Sequence, residues 1–478
     1  MRNRTLTPTL SVLGLSAALL LAAVPVGCGD DGFDNAARGA AARSPAAAPV
    51  PVGPAPTAEA PSSPRPPPLD VSGRVVAERE EPVVGRTIRL VDRAGRHAEV
   101  LTDEDGGFHV EGVTPPYDVL IAPAPSGAIL TPVAYLGLAR SDPRLSVFEP
   151  RGPEIRPASE SIKVGVHLPP CRASSGACWI SVVSASPSGG GTTASSYTEG
   201  TPFAVLEVDH AWLGERTRPG EVIDVHVLVG SADYTEYAYA RIVDLPVRPG
   251  ETIDAGMLTP ARIDATEPVT VAAQAESAPE GWQWTLTTSL DLAAGVSFPL
   301  LYQWAPSAVL RLPRIPGATF RVGAWMQHPA IETQSYFHRS SQAWSGTLPL
   351  GVGNVALAVP LGPELVRPTA EGRLSRRGAG YAWAAKARGL HTLVVADLAR
   401  GRQVMRAHTS DPSLALTAVE ALGVRRLEPG EHVLDLTSRA DADVDELTQP
   451  DERVRTRRFG REAPGAETYQ RFRFVVTP

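Results

Sequence analysis

The chain has little cysteine, almost no lysine and no block of like charge. Only Lys163 and Lys386 are lysines, and the other positive charges are arginines. With a net charge of −7 and no basic run, nucleic acid is not an expected partner. Local catalytic signatures are also missing. The ten histidines are scattered and form no HExxH pair, so zinc hydrolysis has no support. There is no GxSxG elbow, no SxxK and no glycine-rich phosphate loop, and no cofactor or metal site is expected. A triad assembled in space needs no local motif, so a hydrolase with a site assembled across modules stays as a third reading. Long apolar runs are absent except for Leu10 to Val24, which falls short of the ~20 residues of a membrane-spanning helix.

That single run follows Arg2 and Arg4 and ends at Pro25-Val26-Gly27-Cys28. A charged start, a short apolar core and a small residue before the cut make a secretory signal. A cysteine at the cut resembles the lipobox of bacterial lipoproteins, although Pro25 stands where that family prefers a branched apolar residue. The resemblance implies that Cys28 is diacylated after removal of residues 1–27 and attaches the chain to a membrane of the bacterial cell envelope. Gly29 replaces the Asp that marks inner-membrane retention in some lineages, which favours the outer over the inner membrane. The other reading is an ordinary signal peptide cut elsewhere, with Cys28 a spare thiol.

Residues 28–68 are nearly all Ala, Pro, Gly and Ser after Asp30-Asp31. Such a tract cannot bury enough apolar surface to order itself, and its prolines stiffen it towards polyproline II. It is read as a disordered tether. Beyond it, Cys171 and Cys178 are the only further cysteines. In an oxidising compartment they are expected to pair as a disulfide; a metal or redox pair is the alternative.

The remaining sequence alternates with period two between turn residues, the mark of antiparallel strands. In the first segment, residues 69–150, Ile88 and Leu90 flank Arg89, Phe108 and Val110 flank His109, and Tyr117 and Val119 flank Asp118. Asp105-Gly106-Gly107 signals a hairpin turn. Gly73, Pro82, Gly85, Thr102-Asp103, Gly107-Phe108 and Tyr117 resemble, in order and spacing, the carboxypeptidase regulatory-like, transthyretin-like domain. The resemblance implies an accessory β-sandwich and supplies no catalytic residues; the alternation itself predicts a self-contained segment with Phe108 and Tyr117 as core anchors and His109 and Asp118 outward-facing.

Strand-like runs continue through residues 158–262 and 265–364. Ala204-Val205-Leu206 recurs as Ala308-Val309-Leu310, an offset that suits one sandwich module, although coincidence in a valine-rich chain would look the same. Residues 365–478 form a C-terminal β-rich module with one short helix expected between Pro412 and Leu422. The expected fold class is all-β: tandem antiparallel sandwich modules after a signal peptide and a tether.

Two clusters invite chemistry. Asp441, Asp443, Asp445 and Glu446 are dense enough for Ca²⁺, but an EF-hand would need glycine where Glu446 stands, so a solvated acidic loop is preferred. Trp282, Trp284, Trp304, Trp325 and Trp344 concentrate in the third module, with Tyr234, Tyr237 and Tyr239 before them. Exposed rings could stack on sugars; buried rings would pack a sandwich core. Trp282 and Trp284, two apart on one strand, share one face and one fate. The expected function is a non-enzymatic, lipid-anchored envelope or surface protein that presents its modules for binding or structural support. Its expected partners are the membrane, other envelope proteins or polysaccharide. The alternative is a carbohydrate-binding lipoprotein that uses Trp282 and Trp284.

Overall fold

The computed structural model describes residues 66–477, except 78–80, 124–130, 148–160, 170–177, 186–190, 199–202, 210–221, 247–251, 276–280, 293–295, 328–337, 363, 369–371, 376–379, 385–388 and 452–463. Cys28, Cys171, the signal segment and nearly all of the tether lie outside the described residues. The chain is all-β, as its period-two alternation predicts.

The first segment has seven strands: β1 (Leu69–Val76), β2 (Thr87–Asp92), β3 (His97–Leu101), β4 (Gly107–Val113), β5 (Tyr117–Ile121), β6 (Val133–Leu138) and β7 (Arg144–Ser146). β1 lies between antiparallel β4 and parallel β7. The other four form a ladder in the order β3-β2-β5-β6. The alternating residues Val71, Val75, Ile88, Leu90, Phe108, Val110, Tyr117 and Val119 fill the space between the two sheets. Each such side chain contributes ~1.5–3 kcal/mol on burial.

The second segment repeats the plan with β8 (Ser161–His167), β9 (Cys178–Ala185), β10 (Gly191–Thr198), β11 (Phe203–Asp209), β12 (Val222–Ser231), β13 (Tyr237–Pro246) and β14 (Thr252–Met257), and β15 (Ala261–Ile263) adds to β13. The third segment repeats it again with β16 (Thr266–Gln274), β17 (Gln283–Leu292), β18 (Val296–Gln303), β19 (Ser307–Pro313), β20 (Thr319–Gln327), β21 (His338–Trp344), β22 (Leu348–Pro349) and β23 (Asn354–Ala358). β8 is antiparallel to β11 and parallel to β14, just as β16 is to β19 and β23. The orders β10-β9-β12-β13 and β18-β17-β20-β21 also correspond. The two Ala-Val-Leu runs thus occupy equivalent strands, β11 and β19.

The fourth segment holds β24 (Glu364–Arg367), β25 (Arg373–Ser375), β26 (Gly380–Ala384), β27 (Leu390–Asp397), β28 (Arg402–Thr409), β29 (Ser413–Ala415), β30 (Gly430–Arg439) and β31 (Gly465–Thr477), with a helix over Leu416–Ala421 and a helical turn over Val444–Leu447. The expected short helix is this Leu416–Ala421 element.

The modules are joined by hydrogen-bonded strand edges. β21 of the third pairs antiparallel with β31 of the fourth, and β28 of the fourth pairs parallel with β6 of the first. One sheet therefore runs β18-β17-β20-β21-β31-β30-β27-β28-β6-β5-β2-β3. Joining removes edges that would otherwise template aggregation. The cores alternate across this sheet. Leu120, Ala134 and Leu136 from β5 and β6 enter the fourth module's core beside Leu393, Val395 and Leu436. Their neighbours Val119, Val133 and Tyr135 face the first module's core, which Leu390, Ala442 and Val444 also enter. The segment boundary near 150 thus divides the chain but not the sheet or its cores, and a self-contained first module is left to experiment.

Candidate functional site

Trp282 and Trp284 lie at the start of β17, whose even-numbered residues face inward. Leu286 and Leu290 are fully buried, and both tryptophans pack against the same cluster with Phe298, Phe320 and Val322. The two rings do share one fate, and it is that of core-facing side chains. Tyr237 is likewise buried, and the Tyr239 hydroxyl shares a 2.7 Å hydrogen bond with His226 Nδ1. Tyr239 meets Phe298 edge-on at 6.5 Å, where the second module abuts the third.

The exposed aromatics are on the opposite face. Tyr302 and Trp304, at the end of β18, are 57% and 59% exposed and meet edge-to-face at 5.7 Å. Two strands away, Trp325 on β20 is 39% exposed. Between them on β17 lie Thr287, opposite Tyr302 and Gly323, and Thr285, opposite Trp325. A side chain at Gly323 would collide with the Thr287 hydroxyl, its Cβ lying 2.7 Å from Oγ1, so the floor there is flat. Thr285 is only 1% exposed although it lies on the outward face, so it is covered there. Next in the sheet come Gln342 and Trp344, opposite Trp325 and Gly323 respectively.

Beyond the rings the same face carries matched charges. Arg321 grips Asp291 at 2.5 and 2.7 Å. Gln342 Nε2 donates to Glu467 Oε1 at 2.8 Å. Arg439 lies 5.3 Å over the Trp344 ring and pairs with Asp441 at 3.2 Å. Asp435 accepts from Arg471 at 2.7 and 2.9 Å and from the Tyr469 hydroxyl at 2.7 Å. Burial, then the Asp435 carboxylate, push the Tyr469 phenol above its usual range.

The acidic cluster is structural. Asp443 caps the Val444–Leu447 turn by accepting from Glu446 N, and the Glu446 side chain accepts from Asp443 N in return. Asp445 accepts from the backbone of Ala139 and Arg140. The capping box has its own sequence signal, an Asp three residues before Glu ahead of an apolar residue. Asp103 likewise serves its hairpin, accepting from Asp105 N and Gly107 N. Among the described residues, no three His, Cys, Asp or Glu side chains gather to hold a metal, and no helix is long and apolar enough to cross a membrane.

Burial disfavours the charged form of His391 and His408. Burial pushes His391 down to about 4, and burial followed by the Arg406 charge pushes His408 down to about 3. His391 Nδ1 shares a 2.8 Å hydrogen bond with Ser438 Oγ, and its ring meets Trp383 edge-on. Cys178 is buried at the head of β9.

No protein-family model matches the chain, and no curated protein matches it. Among solved structures it is similar to the TIE protein of Bacillus anthracis, at 9% identity and TM-score 0.15 over 62% of this chain and 51% of that one. It is also similar to BcpA, the major pilin subunit of Bacillus cereus, at 10% identity and TM-score 0.15 over 62% of this chain and 99% of that one. A third is the pilus adhesin SpaC from Lactobacillus rhamnosus GG in its open conformation, at 8% identity and TM-score 0.13 over 62% of this chain and 43% of that one. The chain thus spans about half the length of the first of these and less of the third. Likeness at these TM-scores carries no argument about what this chain binds.

Proposed function

We propose that the chain is a lipid-anchored protein of the bacterial cell envelope, a non-enzymatic body of β-sandwich modules held off the membrane by residues 28–68. Acylated Cys28 is the attachment, and the modules serve binding or structural support. The observation that carries this reading is the fused sheet. Ladder hydrogen bonds from β21 to β31 and from β28 to β6 make three modules one stiff body. Relative motion of those modules would require breaking a ladder, whereas flexible linkers would leave it free. The seven-strand plan of the first module supports its resemblance to the carboxypeptidase regulatory-like, transthyretin-like domain. Disulfide pairing of Cys171 with Cys178 would close a small loop ahead of β9, worth ~2–3 kcal/mol for so short a ring.

Replacing Cys28 with Ser tests the anchor. Metabolic labelling with a fatty acid and fractionation should show loss of label and release of the protein from membranes. Membrane association of the unlabelled variant would sink the lipoprotein reading. Gly29 after the cysteine favours the outer membrane, and density separation of the two membranes reports it. Mass mapping without reductant should find Cys171 linked to Cys178; two free thiols would overturn that pairing.

A further inference from the structure

The outward face of β18-β17-β20-β21 departs from an ordinary solvated sheet surface in two ways. Three large rings, Tyr302, Trp304 and Trp325, stand exposed on it, where polar residues would be the rule for an outer face. They are held in place by the sheet, since Tyr302 and Trp325 project from paired strands and Trp304 leans edge-on against Tyr302. Neighbouring strands are ~4.8 Å apart, so rings on β18 and β20 are ~10 Å apart. Between them the partly exposed surface is made by the short residues Thr287 and Gly323, while Thr285 is already covered.

The second departure is electrostatic. Among the described residues of the continuing face, Arg321 pairs with Asp291, Arg471 with Asp435 and Arg439 with Asp441, while Glu467 accepts from the neutral Gln342 amide. Three matched pairs and one further carboxylate leave no basic surplus to attract a polyanion. The face does offer oriented donors and acceptors at fixed positions, which suits a neutral ligand rich in hydroxyls. Flat exposed rings two strands apart suit a ligand with flat, C–H-lined faces on alternate units.

We propose that this face binds an uncharged, extended polysaccharide. Tyr302 with Trp304 and, two strands away, Trp325 stack on sugar rings, and the paired side chains Arg321–Asp291 and Gln342–Glu467 bond the flanking hydroxyls. The site lies on the side of the sheet opposite Trp282 and Trp284. It deepens the carbohydrate-binding alternative and stands whether or not Cys28 is acylated.

The test uses the full chain carrying Cys28→Ser, so that a failure of anchoring leaves it unaffected. Retention is measured on insoluble cellulose, chitin, amylose and curdlan, with soluble polygalacturonate as the anionic comparison and indole fluorescence as a second readout. Binding to at least one neutral polymer is expected, insensitive to salt, with a fluorescence change on binding. Trp304→Ala with Trp325→Ala should weaken it at least about tenfold, while Val309→Ala, an exposed change on β19 in the opposing sheet, should leave it intact. Circular dichroism should be the same for all variants, because the altered side chains are exposed. Failure to bind any neutral polymer, unchanged binding in the double variant, or tighter binding to polygalacturonate would each overturn the proposal. So would self-association by light scattering that the double variant abolishes, which would make the face an interface between copies.

Discussion

Tyr135 and His408 stack across the junction of β6 and β28, with ring centroids 4.8 Å apart and planes 27° from parallel. One ring comes from the first module and the other from the fourth, so the contact exists only when the two ends of the globular region meet. The Tyr135 hydroxyl donates to Ser146 O at 2.9 Å, and His408 Nδ1 shares a 2.9 Å hydrogen bond with Thr392 Oγ1.

The first prediction follows from that junction. Residues 66–147 expressed alone would expose the β6 edge and the face carrying Leu120, Ala134 and Leu136. An unpaired edge with an apolar face invites association. The fragment should bind a hydrophobic dye and self-associate, and a fragment of residues 365–478 supplied in trans should suppress both. A monomeric, dye-silent fragment with a sharp melt would show that the first core suffices by itself.

The second prediction concerns pH. In the unfolded chain His391 and His408 titrate near 6.5; in the folded chain they stay neutral down to about 4 and about 3. Below pH ~6.5 the unfolded state therefore binds protons that the folded state refuses. Stability is full above that pH and falls as pH drops towards the folded values. His391 alone accounts for on the order of 3 kcal/mol across that window. Urea unfolding from pH 7.5 to 4.5 should show the loss, and His391→Gln should flatten it. A slope identical in the variant would exclude His391 as its source.

Most strands were legible because their alternation reflects a local fact, one face in and one face out. β9, β12, β17, β20, β27 and β30 fall within runs that alternate clearly. β28 was not legible: Arg406 and His408 look like a solvated face, yet His408 is buried because β6 covers it. β18 hides behind Pro299, which a strand tolerates because β18 is at the sheet's edge. β5 reads as half-buried but is covered on both faces, since the second cover comes from the fourth module. The tryptophan-rich region was visible as composition. Which rings face out is set by the register of β17 against β18 and β20, and no window of sequence contains that register.

The third prediction sits in the first core. Phe108 lies directly over Gly73, where a Cβ would stand 2.3 Å from the ring's Cζ. Phe108→Ala should cost ~3–5 kcal/mol. Gly73→Ala should cost ~1–3 kcal/mol through overpacking. His109 is exposed and meets Ser72 Oγ and Glu111, so His109→Ala should stay within ~0.5 kcal/mol. Asp118 is not idle as its outward position suggests, because it accepts from Gly137 N at 2.8 Å; Asp118→Ala should cost ~1 kcal/mol. Thermal melts of the four variants check the order. His109→Ala as damaging as Phe108→Ala would contradict the register of β4.

The last prediction tests the clamp that holds the two chain ends together. Arg140 donates to Asp445 O at 2.6 Å, to Gln449 Oε1 at 2.7 Å and to Asp142 Oδ1 at 2.8 Å. Its own carbonyl accepts from the Tyr117 hydroxyl at 2.6 Å, and Arg144 N donates to Thr448 O beside it. The guanidinium thus ties the first module to the Val444–Leu447 turn from a largely buried position. Hydrogen bonds from a charged donor contribute ~1.5–3 kcal/mol, so Arg140→Ala should destabilise the whole chain by about that much. Arg140→Lys should not restore it, because an ammonium cannot reproduce the planar fork that reaches Asp445 and Gln449 together. Combining Arg140→Ala with Gln449→Ala should cost less than the sum of the single changes, since one bond is then lost only once. Strictly additive costs would mean that the 2.7 Å contact contributes nothing, and the first module would then be held to the turn by packing alone.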